Sequence, residues 1–342
     1  MKKIFYTMFF IFLIFCGGVY YLYTSLWGSG VNNTSKYELF IATGSSYNDV
    51  ISHLQGDNIL KSPYLFDLLA DQMNYKKDKV KSGKYTIAPK MSIRHLISNL
   101  RSGNQSAIDI TFNNIRTIEE LAGRLSHQIE PDSMSLLNTL IADLNVTSKG
   151  FTRESVGVMY IPNTYQVYWN ITPQQLVNRM QKEYKIFWSH NNRKSKAKAK
   201  NITPIQASIL GSIVQKETNK KPEQSIVAGV YLNRIRIGMP LQADPTVVFG
   251  IGDFTIKRVL NKHLEYKSPY NTYLNKGLPP GPICIAESTA IDAVLDAEDS
   301  GYLYFCAKPG YRGGHLFAKD LTAHNKNARI YHRWLSKEGI MK

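Results

Sequence analysis

The chain has 342 residues, of which 43% are apolar, and its 42 Lys and Arg residues outnumber the 26 Asp and Glu residues to give a formal charge of +16. Such a length predicts about two domains, and the apolar fraction excludes a mainly disordered chain. The excess of positive charge indicates an anionic partner: nucleic acid, a lipid surface or an acidic polymer. The sequence contains no helix-turn-helix, zinc-finger or RNA-binding signature, so we expect no nucleic-acid partner.

The N-terminal run from residue 4 to residue 27 contains no charged side chain and follows two lysines. As a helix it would be about 36 Å long, enough to cross a bilayer core of ~30 Å, which predicts a single transmembrane helix. By the positive-inside rule, residues 1–3 are then cytoplasmic, and the chain from Gly28 onward lies outside the cytoplasm. The alternative is a cleaved signal peptide, but no small-residue cleavage site closes the run.

A polar linker, residues 28–36, precedes a weak internal repeat that begins at Phe40 and recurs twice. Each copy has a short strand, a hydroxyl residue suited to cap a helix, and apolar positions spaced for one buried helix face. The three hydroxyl residues are Ser46, Ser92 and Thr117. With a further helix predicted over 63–73, residues 37–108 form a β-α-α-β unit that resembles the LysM-like domains, which bind cell-wall glycan. The alternative is a small α+β spacer that holds a second domain away from the membrane.

Glu217 ends a predicted helix that opens at Thr203-Pro204, a hydroxyl N-cap followed by a proline in the first turn. Because Ile209, Ile213 and Glu217 follow one another at intervals of four residues, the carboxyl group continues the apolar face of this helix. Burial raises the pKa of a carboxyl group, and an acid that is protonated near neutral pH is suited to general acid catalysis. The alternative is a glutamate at a fraying helix end with its carboxylate in water.

The segments after this helix are rich in polar and aromatic side chains, which suit a sugar groove because amides and carboxylates bind hydroxyl groups and rings pack on pyranose faces. The candidate substrate-binding residues are Gln242, Asp244, Thr246, Tyr270, Asn271, Tyr273 and His315. Five of them, Gln242, Thr246, Tyr270, Asn271 and Tyr273, could instead satisfy backbone groups in their loops. Asp244-Pro245 is also typical of a turn or helix cap, and His315 could instead bridge a hairpin. His315 has no second His or Cys at metal-ligand spacing, and no phosphate-binding loop is present, so we expect neither a metal nor a cofactor.

Two features of the second half have two interpretations each. The run 191–200 alternates cations with small residues, which is typical of a solvated helix end or of a docking patch for anionic wall polymer or lipid. Cys284 and Cys306 could form a disulfide outside the cytoplasm or remain two separate thiols.

The second half of the chain also contains the segments SIVQKET, VAGVYLNRIRIGMPLQADPTVVFG, SPYNTYLNKGLPPGPICIA and YLYFCAKPGYRGGHLFAKDLTAHN. They resemble the endolytic murein transglycosylases of the YceG-like family, and the similarity extends over 28–334. The resemblance implies an α+β fold with an N-terminal transmembrane helix, a small LysM-like α+β subdomain and a larger mixed α+β catalytic domain, here residues 109–342. It also implies that Glu217, which falls on the glutamate of the family motif, is the catalytic residue.

The resemblance implies cleavage of the β-1,4 bond between N-acetylmuramic acid and N-acetylglucosamine within nascent glycan strands, with formation of 1,6-anhydro ends and termination of strand elongation. One carboxyl group suffices for this reaction, because the 6-hydroxyl group of the sugar is the nucleophile. The expected partners are peptidoglycan glycan strands, the membrane, and peptidoglycan synthases or division proteins. The alternatives are a non-catalytic peptidoglycan-binding scaffold and a hydrolytic muramidase. A muramidase needs a second carboxyl group near Glu217, for which Asp244 is the candidate.

The chain departs from the family pattern ahead of the catalytic helix, where the family usually has a Glu-Gly pair and a Pro-Asp-Thr-Tyr turn. Here the residues are Gly157-Val158 and Pro162-Asn163-Thr164-Tyr165. We therefore expect no acid to act at these two positions.

Overall fold

The structure, a computed structural model, describes residues 2–77, 79–142, 146–147, 150–310 and 313–339. It divides into two compact units. The first unit comprises Met1–Ile110, Gln128–Pro131 and Tyr165–Ile171, and the second comprises Thr111–His127, Asp132–Thr164 and Thr172–Lys342. Nothing in the sequence pattern indicated that the two short segments after Ile110 fold with the N-terminal part.

The first unit begins with a long helix, followed by strands and helices that alternate in short pieces. In chain order its elements are α1 (Lys2–Trp27), β1 (Tyr37–Ile41), α2 (Tyr47–Gly56), α3 (Pro63–Gln72), β2 (Gly83–Ile87) and α4 (Ile93–Ser102). β1 and β2 pair in antiparallel fashion, with Tyr37 opposite Ile87 and Ile41 opposite Gly83. The order β1-α2-α3-β2 is the one predicted for this part of the chain, whereas its likeness to LysM-like domains stays a prediction.

Residues 2–27 form one helix, α1, and the apolar side chains between Tyr6 and Phe15 are exposed. Within the described part of the chain, however, no helix combines the length and the apolar character needed to cross a membrane. The predicted span over residues 4–27 is therefore not confirmed.

The second unit is mainly helical. β3 (Ala107–Phe112) pairs with β4 (Asn163–Tyr168), and the division between the units falls within both strands. The helices are α5 (Ile118–Ser126), α6 (Ser133–Leu140), α7 (Pro173–Ser189), α8 (Arg193–Ala199), α9 (Pro204–Glu217), α10 (Lys221–Arg236), α11 (Asp244–Ile251), α12 (Asn261–Leu264), α13 (Ser288–Leu295) and α14 (Leu321–Lys337). A short 3-10 helix spans Val156–Met159, and β5 (Tyr304–Ala307) and β6 (His315–Ala318) form an antiparallel hairpin.

The hydroxyl residues of the internal repeat cap helices, as predicted. Ser46, Ser92 and Thr117 each accept a hydrogen bond from a backbone N–H group in the first turn of α2, α4 and α5, respectively. The cap satisfies a donor that the helix itself cannot pair, which fixes the start of each helix at the expected residue. The apolar faces that follow are buried, as shown by Val50 and Leu54 in α2, Leu96 and Leu100 in α4, and Leu121 and Leu125 in α5.

Helix α9 lies in the core of the second unit, because all its residues from Ala207 to Val214 are buried. The sequence predicted one apolar face, but this stretch is enclosed on every side. Its hydroxyl groups are satisfied locally, since those of Ser208 and Ser212 donate to carbonyl groups one turn earlier at 3.1 and 2.6 Å. Gly211 permits close packing, since a Cβ there would lie 3.3 Å from the backbone of α13. The neighbours of α9 thus fix the position of its last residue, Glu217.

The basic run 191–200 contains α8, and its cations contact α13 and the residue that follows it. Arg193 makes a bidentate ion pair with Asp292 at 2.7 and 2.9 Å, and Lys196 lies 2.7 Å from Asp296. Two cations of the run therefore form ion pairs within the second unit. Neither interpretation of the sequence anticipated these ion pairs.

The two cysteines of the second unit are separate thiols. Cys284 is buried, Cys306 is half-buried, and both are free. The disulfide interpretation is therefore wrong, and the interpretation as two thiols is confirmed.

Candidate active site

Glu217 is the last residue of α9, and its side chain lines a cleft of the second unit. The helix begins where the sequence predicts. Thr203 Oγ1 accepts a hydrogen bond from the Gln206 N–H group, and the Gln206 side chain accepts one from the Thr203 N–H group. The carboxyl group is thus placed at the C-terminal end of a well-formed helix, where the helix dipole disfavours a negative charge.

The environment of Glu217 raises the pKa of its carboxyl group to about 7. Burial is the largest cause, and the negative charge of Asp244 acts in the same direction. The hydrogen bond from Tyr231 and the charge of Arg234 lower the pKa, but they offset only part of the rise. At neutral pH the group is therefore present in both its protonated and its ionised form, which permits it to give a proton and to take one back.

Tyr231, on α10, is the hydrogen-bond partner of Glu217. Its hydroxyl group donates to Oε1 of Glu217 over 2.7 Å, and its ring is buried with 1% of the surface exposed. The ring of Phe305 packs edge-on against it at a centroid distance of 5.8 Å. Burial raises the pKa of Tyr231 well above its usual value. The phenol therefore stays protonated and acts as a fixed donor that orients the carboxyl group.

The cleft in front of Glu217 has a volume of about 440 Å³. Its second carboxylate belongs to Asp244. The apolar part of the lining includes Val248, Phe249, Phe254, Ile256, Val259 and Ile283. The cationic part consists of Arg116, Lys216, Lys257 and Arg258. Aromatic and aliphatic surface beside two carboxyl groups suits a carbohydrate, whose ring faces are apolar and whose edges carry hydroxyl groups.

Asp244 is the first residue of α11, and its carboxylate is exposed to the cleft. The preceding residue, Ala243, occupies the cap position and makes no side-chain cap. Oδ1 of Asp244 instead accepts a hydrogen bond from the hydroxyl group of Tyr273 over 2.6 Å. Burial raises the pKa of Tyr273, and its bond to Asp244 adds to the rise. The interpretation of Asp244 as a helix cap is therefore wrong, and two tyrosine–carboxylate pairs serve the same cleft.

Arg234 organises the loop before α11, although no motif of the sequence singled it out. Its side chain is 7% exposed, and Nε donates to the carbonyl group of Leu303 over 2.7 Å. Nη1 donates to the carbonyl groups of Pro240 and Leu241 at 3.2 and 2.7 Å. The same Nη1 lies 3.4 Å from the side-chain oxygen of Gln242. The buried guanidinium group of Arg234 thus fixes the loop segment that leads to Asp244.

Three predicted site residues make hydrogen bonds inside the protein and do not line the cleft. Thr246 is fully buried, with Oγ1 2.6 Å from a carbonyl oxygen and 2.8 Å from Oγ1 of Thr272. Asn271 is also fully buried, and its amide group donates to two carbonyl groups of the preceding loop at 2.8 Å each. Gln242 is exposed, has a positive φ of 53°, and donates its backbone N–H to the carbonyl group of Thr272.

Tyr270 and His315 also lie outside the cleft lining. Tyr270 packs at 4.7 Å against Phe249 and lines a smaller cavity of about 190 Å³. Nδ1 of His315 lies 3.0 Å from Oε2 of Glu223, which joins β6 to the first turn of α10. Over the described ranges of the chain, no group of three or more His, Cys, Asp and Glu side chains is arranged to hold a metal ion.

The sequence matches the model of the YceG-like family over residues 39–330. The chain is 29% identical over 309 residues to an endolytic murein transglycosylase of Bacillus subtilis, which covers 85% of this chain and 83% of that protein. It is 24% identical over 357 residues to an endolytic murein transglycosylase of Streptococcus pneumoniae, which covers 93% of this chain but 63% of the relative. The solved structure of a YceG-like protein of Listeria monocytogenes is similar, with a TM-score of 0.57, 25% identity, and coverage of 86% of this chain and 99% of the other. The chain therefore belongs to the YceG-like family.

Proposed function

We propose that this protein is an endolytic peptidoglycan lytic transglycosylase, with Glu217 as its catalytic acid and base. The observation that carries the proposal is the carboxyl group of Glu217, which lines a cleft and has a pKa raised to about 7, mainly by burial. The relatives named as endolytic murein transglycosylases support the same reaction class. The bond cleaved is the β-1,4 bond between N-acetylmuramic acid and N-acetylglucosamine within a nascent strand, and the cut ends elongation of that strand.

The reaction needs one carboxyl group in two protonation states. Protonated Glu217 donates its proton to the leaving oxygen, O4 of N-acetylglucosamine, as the bond from C1 of N-acetylmuramic acid to that oxygen breaks. The resulting Glu217 carboxylate then takes the proton of the 6-hydroxyl group of N-acetylmuramic acid, as O6 bonds to C1 and closes the 1,6-anhydro ring. The proton returns to Glu217, so the acid is regenerated and no water is consumed. A pKa near the working pH favours both transfers.

The other polar groups of the site have supporting roles in this proposal. Tyr231 holds Oε1 of Glu217 through its hydroxyl group, which leaves the second oxygen to exchange the proton. Asp244, held by Tyr273, places a negative charge in the cleft, where positive charge develops on the sugar ring in the transition state.

The test is digestion of isolated peptidoglycan strands followed by mass analysis of the new ends. We expect 1,6-anhydro-N-acetylmuramic acid ends from the wild-type protein and a loss of about 10²–10⁴-fold in rate for Glu217→Gln, because the amide cannot donate a catalytic proton. Glu265→Gln, which changes an exposed carboxylate outside the cleft, serves as the matched control and keeps full activity. Full activity of Glu217→Gln would remove Glu217 from the mechanism.

One observation favours a second candidate, a hydrolytic muramidase. Asp244 and Glu217 line the same cleft, and a hydrolase needs a second carboxylate to activate water. The same digestion separates the two reactions, because hydrolysis leaves reducing N-acetylmuramic acid ends. Binding of strands without any cleavage would instead favour a non-catalytic peptidoglycan-binding scaffold.

We further propose that residues 4–27 attach the protein to the inner membrane with its catalytic unit in the periplasm, and that the first unit contributes to binding of wall glycan. The absence of charge from 4–27 and the exposed apolar side chains between Tyr6 and Phe15 support the attachment. Membrane fractionation of the full chain beside a chain that begins at Gly28 is the test, and recovery of both in the soluble fraction would contradict it. Peptidoglycan synthases or division proteins are the partners to seek by cross-linking.

A further inference from the structure

The cleft of Glu217 carries more positive charge than the proposed reaction itself requires. Its four cationic side chains are Arg116, Lys216, Lys257 and Arg258. Within the described ranges, none of the four forms an ion pair with a carboxylate. Elsewhere in the second unit, Arg193 and Lys196 do have carboxylate partners. The cleft lining, where the substrate is expected, thus contains four cations that pair with no carboxylate of the described residues.

Arg116 has a distinct position among these cations. Its guanidinium group stacks on the ring of Phe254 at 4.1 Å from the ring centroid, which restricts its orientation. It lines both the cleft and the neighbouring cavity of about 190 Å³, and Phe249 is likewise shared by the two. The smaller cavity, which we call the side branch, therefore adjoins the cleft, and Arg116 lies between the two.

The side branch has a mixed polar lining. Arg153 and Tyr270 contribute to it, and so do the carboxylates of Glu119 and Glu154. A wall with both signs of charge suits a peptide that carries both carboxylate and amine groups, and it suits an uncharged sugar less well. The side branch is too small to hold a disaccharide of the glycan strand, but it can hold a short length of peptide.

Peptidoglycan supplies a peptide of this kind. The two sugars of the glycan strand are uncharged, since the carboxyl group of N-acetylmuramic acid is amide-linked to a short peptide. That peptide leaves the side of the strand and carries free carboxylates of its own.

We propose that Arg116 binds a free carboxylate of the peptide carried by N-acetylmuramic acid, with the side branch as the exit for that peptide. The inference rests on the proposed function and adds a substrate preference to it: strands that bear acidic peptides are cleaved faster than strands without peptides or with amidated peptides. Arg116 is then a determinant of specificity, and the other three cations strengthen the attraction at longer range.

The test compares three forms of the same glycan strands with the full-length protein. One form carries peptides with free carboxylates, one carries the same peptides with those carboxylates amidated, and one is stripped of peptides by an amidase. We expect kcat/KM to be about tenfold higher for the first form than for the other two, as for one charge-assisted contact. The difference is expected in KM and not in kcat. Equal kcat/KM for all three forms would overturn the inference and leave the proposed function intact, whereas no cleavage of any form would contradict both.

A variant assigns the preference to Arg116. Arg116→Gln is expected to bring the ratio of kcat/KM between acidic and amidated strands from about ten to about one. Lys194→Gln removes one positive charge from an exposed position on α8 and is expected to keep both the ratio and the rate. If Arg116→Gln does not fold, Arg153→Gln, at an exposed position of the branch, is expected to lower the ratio as well. A ratio unchanged in the folded variant would overturn the assignment.

Discussion

The hydroxyl group of Tyr231 donates to Oε1 of Glu217 over 2.7 Å and thereby opposes the effect of burial on the same carboxyl group. The bond stabilises the ionised form, whereas burial and the charge of Asp244 stabilise the protonated form. The pKa of about 7 results from this opposition. Each contribution comes from a different element of the fold, so each can be removed separately.

Tyr231→Phe is expected to move the alkaline limb of the pH–rate profile to higher pH. The hydrogen bond lowers the pKa of Glu217, so its loss raises the pKa above about 7 and the acid stays protonated at higher pH. The maximal rate is expected to fall about fivefold to tenfold, because an orienting hydrogen bond worth about 1 kcal/mol is lost. The measurement is kcat/KM on isolated strands across the neutral range. Tyr302→Phe, which alters a tyrosine that does not line the cleft, is the control, and an unshifted limb would contradict the role of Tyr231.

Asp244→Asn is expected to move the same limb in the opposite direction. The negative charge of Asp244 raises the pKa of Glu217, so the neutral amide lets the pKa fall below about 7. The rate then decreases more at pH above the wild-type pKa than at pH below it. Asp109→Asn, at an exposed position of β3, is the charge-matched control. A loss of rate that is equal at every pH would show that Asp244 acts on the reacting sugar and not on the ionisation of Glu217.

Glu217→Gln is expected to stabilise the folded protein above neutral pH while it lowers activity about 10²–10⁴-fold. The ordinary pKa of a glutamate carboxyl group is 4.5, whereas the pKa of Glu217 in the folded protein is about 7. The folded state therefore binds this proton more tightly than the unfolded state does. The stability that this proton contributes is fully present below about pH 4.5 and is lost as pH rises through about 7. Replacement of the buried charge by an amide is therefore expected to raise the free energy of unfolding by about 1–3 kcal/mol at alkaline pH, with little change in acid.

Urea denaturation of the wild type and the Glu217→Gln variant at one acidic and one alkaline pH measures this difference. A stability difference that is the same at both values would mean that the pKa of Glu217 is not raised in the fold.

Arg234→Ala is expected to destabilise the second unit by about 2–4 kcal/mol, because three carbonyl groups lose a buried donor. Activity is expected to fall even in the fraction that remains folded, since the loop that leads to Asp244 loses its support. Arg236→Ala, two residues later and exposed, is the matched control. Chemical denaturation and the rate on glycan strands are the two measurements, and a stable but inactive variant would indicate that Arg234 acts mainly on the site.

Local features of the site were predictable from the sequence. The Thr203 cap and the four-residue spacing through Ile213 placed Glu217 at the inner end of a helix, and the structure confirms both. Arg234 follows Tyr231 by three residues, a spacing that puts both on one helix face, so their common orientation could have been inferred. The hydrogen-bond partners of Arg234 could not, since Leu303 lies far along the chain and Leu241 comes within reach only through the path of the loop that follows α10.

The burial of the loop residues was not predictable in the same way. Asn271 and Thr246 have side chains that are as suitable for binding sugar hydroxyl groups as for pairing carbonyl groups. Only the packing of the loops shows that both side chains are enclosed and bonded within the protein. Hydrogen-bonding capacity is a property of the residue type, whereas its use depends on which neighbours reach it.

The sequence by itself determined the family, the helix that carries Glu217, and the position of the acid on the inner side of that helix, because these depend on sequence motifs, local spacing and capping. Only the tertiary structure decided the ionisation of Glu217 and the charge of its cleft. The pKa depends on Tyr231, Asp244 and Arg234, and the cations of the cleft come from segments as far apart as Arg116 and Arg258. Electrostatic interactions act over distances in space, so residues that are remote in the chain set the chemistry of the site only after folding brings them together.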